Sequence, residues 1–395
     1  MGFIFTIIGL MVSLDLLWWI VLARLSNHGV ARAVVSIFMA AMMIGLIAVI
    51  AARMSRGDWD RVIPKFAVSA IFIWHFIGLG LLTLIGIALI PVLIGQKLFS
   101  HNAPTKIDKL VDQNSWSRRD FLRFGAAVTP PILTLGLTGI ALYQLNQVRV
   151  RRFALSIASL PEALNGMTIA QVSDMHVGRF TNGEVLETTV RLVNELRADL
   201  VLLTGDLIND ALADLDTGLD LARRMEARFG VAIIEGNHDL IENPREFETR
   251  VRASGIPFLL DESMIMNVRG FPVQLLGLRW TRVYGEKRDA AIGAEVKKLL
   301  EQRDADAFPI LLAHHPHSFD AAADSGMPLT LSGHTHGGQL MLNEQTGFGP
   351  ALFRYWSGLY QRGPSKLIVS NGVGNWFPLR VNAPAEIVHL TLRRV

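Results

Sequence analysis

The chain has 395 residues, half of them hydrophobic, and a positive mean hydropathy of +0.34, which is too apolar for an ordinary soluble protein and long enough for one to three domains. Its formal charge of +3 is small and its basic residues are scattered, so no nucleic-acid partner is predicted. There is no cysteine, which excludes disulfides, thiolate metal sites and catalytic thiols.

The apolar excess lies in residues 1–145. Residues 3–22 form a stretch with a single charge, Asp15, and at 1.5 Å per residue such a helix spans a hydrocarbon core of roughly 30 Å. Residues 33–52 carry no charge and form a second candidate span. Residues 66–95 are longer than one span needs and too short for two, which suits a tilted helix or one ending near Pro91. Asp15 and His75 are ionisable groups inside these stretches; each is either functional or faces the bundle or a headgroup layer quietly, and a carboxylate in lipid, costing more, favours function more for Asp15.

Residues 115–124 read SWSRRDFLRF and precede a milder apolar run, the fourth span, at about 124–143. The segment 117–123, with its arginine pair, Phe-Leu and a further basic residue, has the form of a twin-arginine export signal. The alternative is a basic cytoplasmic flank. Either way the basic cluster from Lys97 to Arg123 stays inside, so the fourth span runs outward. Loop 53–65, with four basic residues of its own, pulls the other way. Gly139-Ile140-Ala141 is a poor cleavage site, so the anchor is expected to be retained. The expected location is a bacterial cell membrane, multi-pass, with the following domain on the extracytoplasmic side.

From residue 147 onward short β-rich runs alternate with amphipathic stretches. The runs are 167–174, 199–206, 231–239, 271–278, 309–316, 329–336 and 366–374, and the helical stretches are 183–198, 212–229 and 290–303. This alternation predicts an α/β domain over 147–395. In such folds chemistry gathers beyond the carboxyl ends of strands. Here those ends carry Asp174 and His176 (SDMHVG), Asp206 (TGDLIND), Asn237 and His238 (EGNHD), His314 (LAHHP), and His334 and His336 (SGHTHGG). Carboxylate, imidazole and amide oxygen make a mixed O/N donor set suited to Mn, Fe, Zn or Ni. Residues two apart on a strand share a face, so each D-x-H or H-x-H pair can aim two donors at one spot. Singly, each piece has a bland reading: a chance D-x-H, a turn with a capped helix, a surface His pair beside glycine. Together at successive strand ends, they point to a metal pair.

The series D-x-H, G-D, G-N-H-D, His before Pro and G-H-T-H resembles the calcineurin-like metallophosphoesterase family. LSGHTHGGQ with the late NGVGNWFPLRVNAPAEIVHLTL resembles more narrowly its bacterial membrane-associated phosphohydrolase branch. The resemblance covers about 147–395 and leaves the first three spans unexplained. It implies an α/β domain of the four-layer α/β/β/α sandwich type, here preceded by an all-α transmembrane region. It also implies two divalent metal ions. Carried over by position, Asp174, His176, Asp206 and His336 would hold the first, and Asp206, Asn237, His314 and His334 the second. His238 would stand beside the leaving-group oxygen as the catalytic acid, oriented by Asp239. Asn209 stands where the family often has Asp, with Asp210 following. His315 is the alternative to His314 as ligand.

The expected function is that of a membrane-anchored phosphoesterase. A metal-bridging hydroxide would attack a phosphate mono- or diester, with the metals offsetting charge in the transition state. Its partners would be the phosphate ester substrate, a lipid-linked or cell-envelope compound being one candidate, and the bilayer. Oligomeric state is not legible. Arg179 holds a phosphate oxygen or is an exposed arginine. Trp356, Phe353, Trp376 and Phe377 touch an acyl chain or membrane surface, or belong to the core. The competing expectation is a membrane sensor or scaffold that binds metal without turnover. A further one has the spans transporting the lipid.

Overall fold

A computed structural model describes residues 2–25, 28–54, 63–99, 117–343 and 346–395. Loop residues 55–62 and 100–116, which the orientation reading uses, lie outside the described residues. The chain divides into two compact units, Met1–Ile140 and Ala141–Val395.

Four helical stretches among the described residues are long and apolar enough to cross a membrane. They are α1 (Gly2–Leu25), α2 (Gly29–Met54), the run α3 (Lys65–Ile73), a π-helical turn (Trp74–Gly78) and α4 (Leu79–Phe99), and α5 (Arg118–Leu145). Helix α4 does not stop at Pro91 but continues to Phe99; a proline within an apolar span is tolerated where neighbouring groups satisfy the freed carbonyl. Asp15 and His75 find each other. Asp15 Oδ2 is 2.9 Å from His75 Nε2, and its Oδ1 accepts from Trp74 Nε1 at 2.7 Å. His75 Nδ1 donates to the Ile71 carbonyl at 2.7 Å, so the whole polar cluster is satisfied internally. The twin-arginine-like segment is the first turn of α5. Ser117 caps it, accepting from the Asp120 N–H at 3.1 Å and donating to the Asp120 carboxylate at 2.5 Å.

The second unit is built on two mixed sheets. One has the order β1-β13-β2-β3-β4 and the other β11-β12-β8-β7-β6-β5, where β6 is Phe271–Gly277 and β12 is Ser365–Val369. The strands that matter for the site are β2 (Thr168–Val172), β3 (Leu200–Thr204) and β4 (Gly230–Ile234) in the first sheet, and β7 (Phe308–Leu312) and β8 (Leu329–Ser332) in the second. Each set is parallel, so all five carboxyl ends emerge on one side of their sheet. Leu200 and Leu202 of β3 pack with Ile310, Leu312, Leu329 and Leu331 in the core between the sheets. Val201 and Leu203 point the other way, onto α6 (Glu184–Glu195), α7 (Leu215–Arg223) and α8 (Pro244–Ala253). The second sheet's outer face, with Leu276 and Leu311, is covered by α9 (Arg288–Leu300) and α10 (Ser318–Asp324). Two-faced burial explains why these strands read as unbroken apolar runs, and the layers run helix, sheet, sheet, helix. The runs read from sequence are strands, but each stops before its polar end. The edge and return strands β1 (Val148–Ile157), β5 (Glu262–Val268), β11 (Gly358–Arg362) and β13 (Ala385–Arg394), and helices α8 and α10, carry no comparable signal.

Candidate metal centre

The ligand pairs do not converge by strand alternation. Strand β2 ends at Val172 and β8 at Ser332, so Asp174, His176, His334 and His336 all lie in loops beyond them. They converge because the chain turns left-handed at each: φ is 52° at Asp174, 44° at His176, 54° at Asp206, 73° at His334 and 50° at His336. That region is sterically costly for residues with a Cβ, at about 1–3 kcal/mol each, and persists only where the surroundings over-determine it. The surroundings here are other ligand loops. Asp174 N–H donates to the Gly205 carbonyl, His176 N–H to Asp206, and Gly333 N–H to His314, at 2.9, 3.0 and 3.1 Å. Gly333 must be small. A Cβ there would fall onto Ser173 Oγ and an Asp174 carboxylate oxygen.

Three groups of donor atoms result, the atoms of each lying within 4.8 Å of one another: Asp174, His176 and His336; His176, Asp206 and His238; Asp206, His314 and His334. Asp206 belongs to two of them. Its Oδ2 is 3.0 Å from His314 Nε2 and 3.6 Å from His176 Nε2, and its Oδ1 accepts from the His238 N–H at 2.8 Å. His336 Nε2 is 3.0 Å from His176 Nε2 and 3.3 Å from Asp174 Oδ1. The Asp174 carboxylate also accepts from the His334 N–H at 3.0 and 3.1 Å. His314 donates from Nδ1 to the Thr204 carbonyl at 2.6 Å, which leaves Nε2 for the cluster. Of the two adjacent histidines, His314 is the one in the cluster. His315 instead accepts at Nδ1 from the His317 N–H at 3.2 Å.

The electrostatics are those of an anion-rich, dry site. Burial pushes the Asp174 carboxyl up to about 6, with Asp206 adding and His314 opposing. Burial would also raise Asp206, but His314 and His238 outweigh it and hold it well below the carboxylate range. For His314 burial opposes charge, yet Asp206 and Asp174 raise it to about 10. Burial lowers His334 to about 3, and lowers His176 and His336 well below the imidazole range, so these rings are neutral donors.

Divalent cations fit this donor set. Asn237 Oδ1 is buried with no hydrogen-bond partner among the described residues, the condition of an amide oxygen awaiting a cation. Facing imidazole Nε2 atoms above two carboxylates are likewise what a shared cation would satisfy. Two closely spaced His/Asp clusters thus form a dinuclear divalent site whose metal the donors leave open.

His238 sits at the mouth, its ring 4.6 Å from that of His176 and 5.8 Å from that of Trp376. Its Nδ1 donates to the Asn209 carbonyl at 2.6 Å. Asp239 is therefore not its partner. The Asp239 carboxylate accepts from the Ile208 and Gly236 N–H groups at 3.0 and 2.9 Å and ties the two ligand loops together. Burial, reinforced by Asp206, pushes Asp239 well above the usual carboxylate value. Asn209 contributes a main-chain carbonyl rather than a side chain. The Arg179 guanidinium lies 5.0 Å over the Phe180 ring. Trp356 and Phe377 belong to the core, each 7% exposed, whereas Trp376 is 37% exposed and Phe353 packs 5.5 Å from His334.

Sequence reasoning missed two residues. Trp280, buried, packs with its ring 4.9 Å from that of His334 and 5.6 Å from those of His314 and His315. Its backbone N–H donates to Glu235 Oε1 at 3.1 Å. Arg380, also buried, stands 3.3 Å from His336 Nδ1. Neither lies in a strand-end polar cluster, the only signal followed.

Residues 167–338 match the family model for calcineurin-like phosphoesterases. An uncharacterized metallophosphoesterase of Bacillus subtilis, YkuE, is 30% identical over 70% of this chain and 98% of its own length. An uncharacterized metallophosphoesterase of Helicobacter pylori is 27% identical over 73% of this chain and 74% of that protein. A zebrafish (Danio rerio) transmembrane protein with metallophosphoesterase domain is 30% identical over 60% of this chain and 56% of its own length.

Proposed function

This chain belongs to the calcineurin-like metallophosphoesterase family, and from that premise we propose that it hydrolyses a membrane-derived phosphate ester at the Asp206 cluster. One observation carries the reading: Asp206 is grouped with His176 on one side and with His314 and His334 on the other, as suits a carboxylate between two cations. In this reading Asp174, His176, Asp206 and His336 hold one cation, and Asp206, Asn237, His314 and His334 the other. When bound, the pair supplies positive charge to the phosphoryl oxygens and acidifies a water.

The chain's own residues do the rest. The His238 Nδ1–H is committed to the Asn209 carbonyl, so Nε2 is the atom that carries a proton to the departing oxygen. The same bond fixes the ring plane, a precondition for efficient transfer. Asp239 accepts from Gly236 N–H within the His238 loop and from Ile208 N–H of the Asp206 loop, and so keeps ligand and acid in register. Trp280 and Phe353 pack against His334 and exclude water from one flank.

A lipid-linked ester is the substrate class favoured here. Its support is an apolar rim: Trp376 beside His238, with Leu342, Phe348 and Leu352 exposed on the segment that leads to Phe353. Four apolar helices in the same chain supply the bilayer. An extracytoplasmic domain is part of this proposal, supported by the basic sequence that precedes the fourth span.

The test is turnover. Detergent-solubilised protein, stripped by chelation, is expected to be inactive toward aryl phosphate mono- and diesters, and Mn²⁺ is expected to restore it. Asp206→Asn is expected to lose more than about 100-fold with the fold retained. Wild-type protein that binds two cations and turns over no ester would leave the non-catalytic sensor as the better account.

A further inference from the structure

Arg380 is fully buried, yet each partner it touches is neutral. Nε donates to Asn375 Oδ1 at 2.5 Å and Nη1 to the Ala383 carbonyl at 2.9 Å. Nη2 reaches the carbonyls of Asn371, Gly372 and Gly374 at 3.1, 3.2 and 2.6 Å, as well as His336 Nδ1. The Asp174 and Glu386 carboxylates act on it without hydrogen-bonding to it and offset only part of the cost of burying a guanidinium. An apolar or amide side chain would brace a loop without that cost. The arrangement therefore calls for something a five-donor planar fork does and no other side chain can.

What it does is gather one loop. Three carbonyls of residues 371–374 point at one guanidinium, and the N–H groups of Val373 and Gly374 are thereby turned toward the ligand turn. They donate to the Ser173 and Asp174 carbonyls at 2.9 and 2.7 Å. That is the turn in which Asp174 and His176 are held left-handed. The approach is so close that side chains are excluded: a Cβ on Gly372 would lie 2.6 Å from Asp174 Cβ, and one on Gly374 would fall onto the Met175 carbonyl. The same Nη2 that gathers these carbonyls also lies 3.3 Å from the third ligand, His336, at Nδ1. Nη2 has three carbonyl acceptors besides this ring, so its hold on the loop does not depend on which ring nitrogen carries the proton.

We propose that Arg380 is a positioning residue for one of the two cation subsites, that of Asp174, His176 and His336, and that it leaves the other subsite almost untouched. The proposal rests on the ligand set given above, not on turnover. Two effects of Arg380 oppose each other. Its charge repels a nearby cation, whereas its fork holds the ligand turn in its strained form. We infer that the second effect wins, because the turn needs an outside brace at two left-handed residues.

Arg380→Lys separates them, since it keeps the charge and removes the fork. Mn²⁺ titration of the chelator-stripped full chain in detergent, by calorimetry, should show one site weakened about 10–100-fold and the other within about threefold. In a His334→Ala background, which spares the Arg380-braced subsite, the weakening should persist; in a His336→Ala background it should vanish. KM for an aryl phosphate ester at saturating Mn²⁺ should stay within about threefold. Equal weakening of both sites, or none, overturns the proposal. So does an Arg380→Met variant that binds both cations more tightly than wild type, which would make charge the dominant effect. If Arg380→Lys does not fold, Asn375→Ala decides, since it frees only the Nε end of the fork. A selective loss at the same site supports the proposal and an unselective one refutes it. Two cations bound by wild type without hydrolysis would sink the proposed function and leave this inference standing.

Discussion

Glu235→Gln tests how the site's foundations are wired, with a magnitude that the structure supplies. Glu235 is fully buried at the end of β4, two residues before Asn237. Its Oε1 accepts from the Trp280 backbone N–H at 3.1 Å, tying the Asn237 loop to the main chain of the residue whose indole packs on His334. Its Oε2 has no hydrogen-bond partner among the described residues, and Arg279 is 3.9 Å away. Burial raises the carboxyl from 4.5 to about 7, with Arg279 only partly offsetting. The native state then binds more protons than the unfolded state between those values, so this group's contribution falls as pH rises from 4.5 through 7. The interval corresponds to about 3 kcal/mol lost above pH 7. Glutamine keeps the acceptor and cannot ionise. Chemical denaturation of the metal-free chain in detergent should therefore find Glu235→Gln more stable than wild type by about 3 kcal/mol at pH 8.5, and by less than about 1 kcal/mol at pH 5. An equal difference at both pH values, or destabilisation at pH 8.5, would show that the carboxylate is solvated or paired and that this account of the β4 end is wrong.

His238→Asn should lose about 10²–10⁴-fold on an alkyl phosphate ester, whose leaving group needs a proton, and under about tenfold on a p-nitrophenyl ester, which does not. Parallel losses on both would make His238 a ligand or a structural residue instead of an acid. Gly333→Ala should lower the bound metal count per chain by elemental analysis, because the new methyl displaces Asp174 or Ser173. A full complement of metal in that variant would mean that the loop yields freely. Exhaustive chelation should abolish hydrolysis reversibly, and activity that persists in metal-free protein would contradict the donor-set argument.

Much of the fold was legible because its signals are local. About twenty apolar residues in a row report a span on their own, and strands buried on both faces declare themselves as β-rich runs. Strands β1 and β13 were not legible. Val148–Ile157 carries three basic residues, Arg149, Arg151 and Arg152, and the pairing of Arg149 and Arg151 with Glu386 of β13 is visible only in the fold.

The sequence by itself determined the chemistry on offer: carboxylate, imidazole and amide at successive strand ends, and two ionisable groups in apolar helices. Only the tertiary structure decided how they meet. Asp174, Asp206 and Asn237 follow strands of one sheet, and His314, His334 and His336 follow strands of the other, so no local pattern records their distance. Adjacent residues point in different directions, and His314 is turned toward Asp206 by its bond to the Thr204 carbonyl, 110 residues away. The same holds for Asp15 with His75, for Asp239 with the Ile208 N–H, and for Arg380 with a loop of carbonyls. Sequence carries each residue's own preferences. A left-handed ligand turn violates those preferences, and it exists because distant loops, packed together, hold it there.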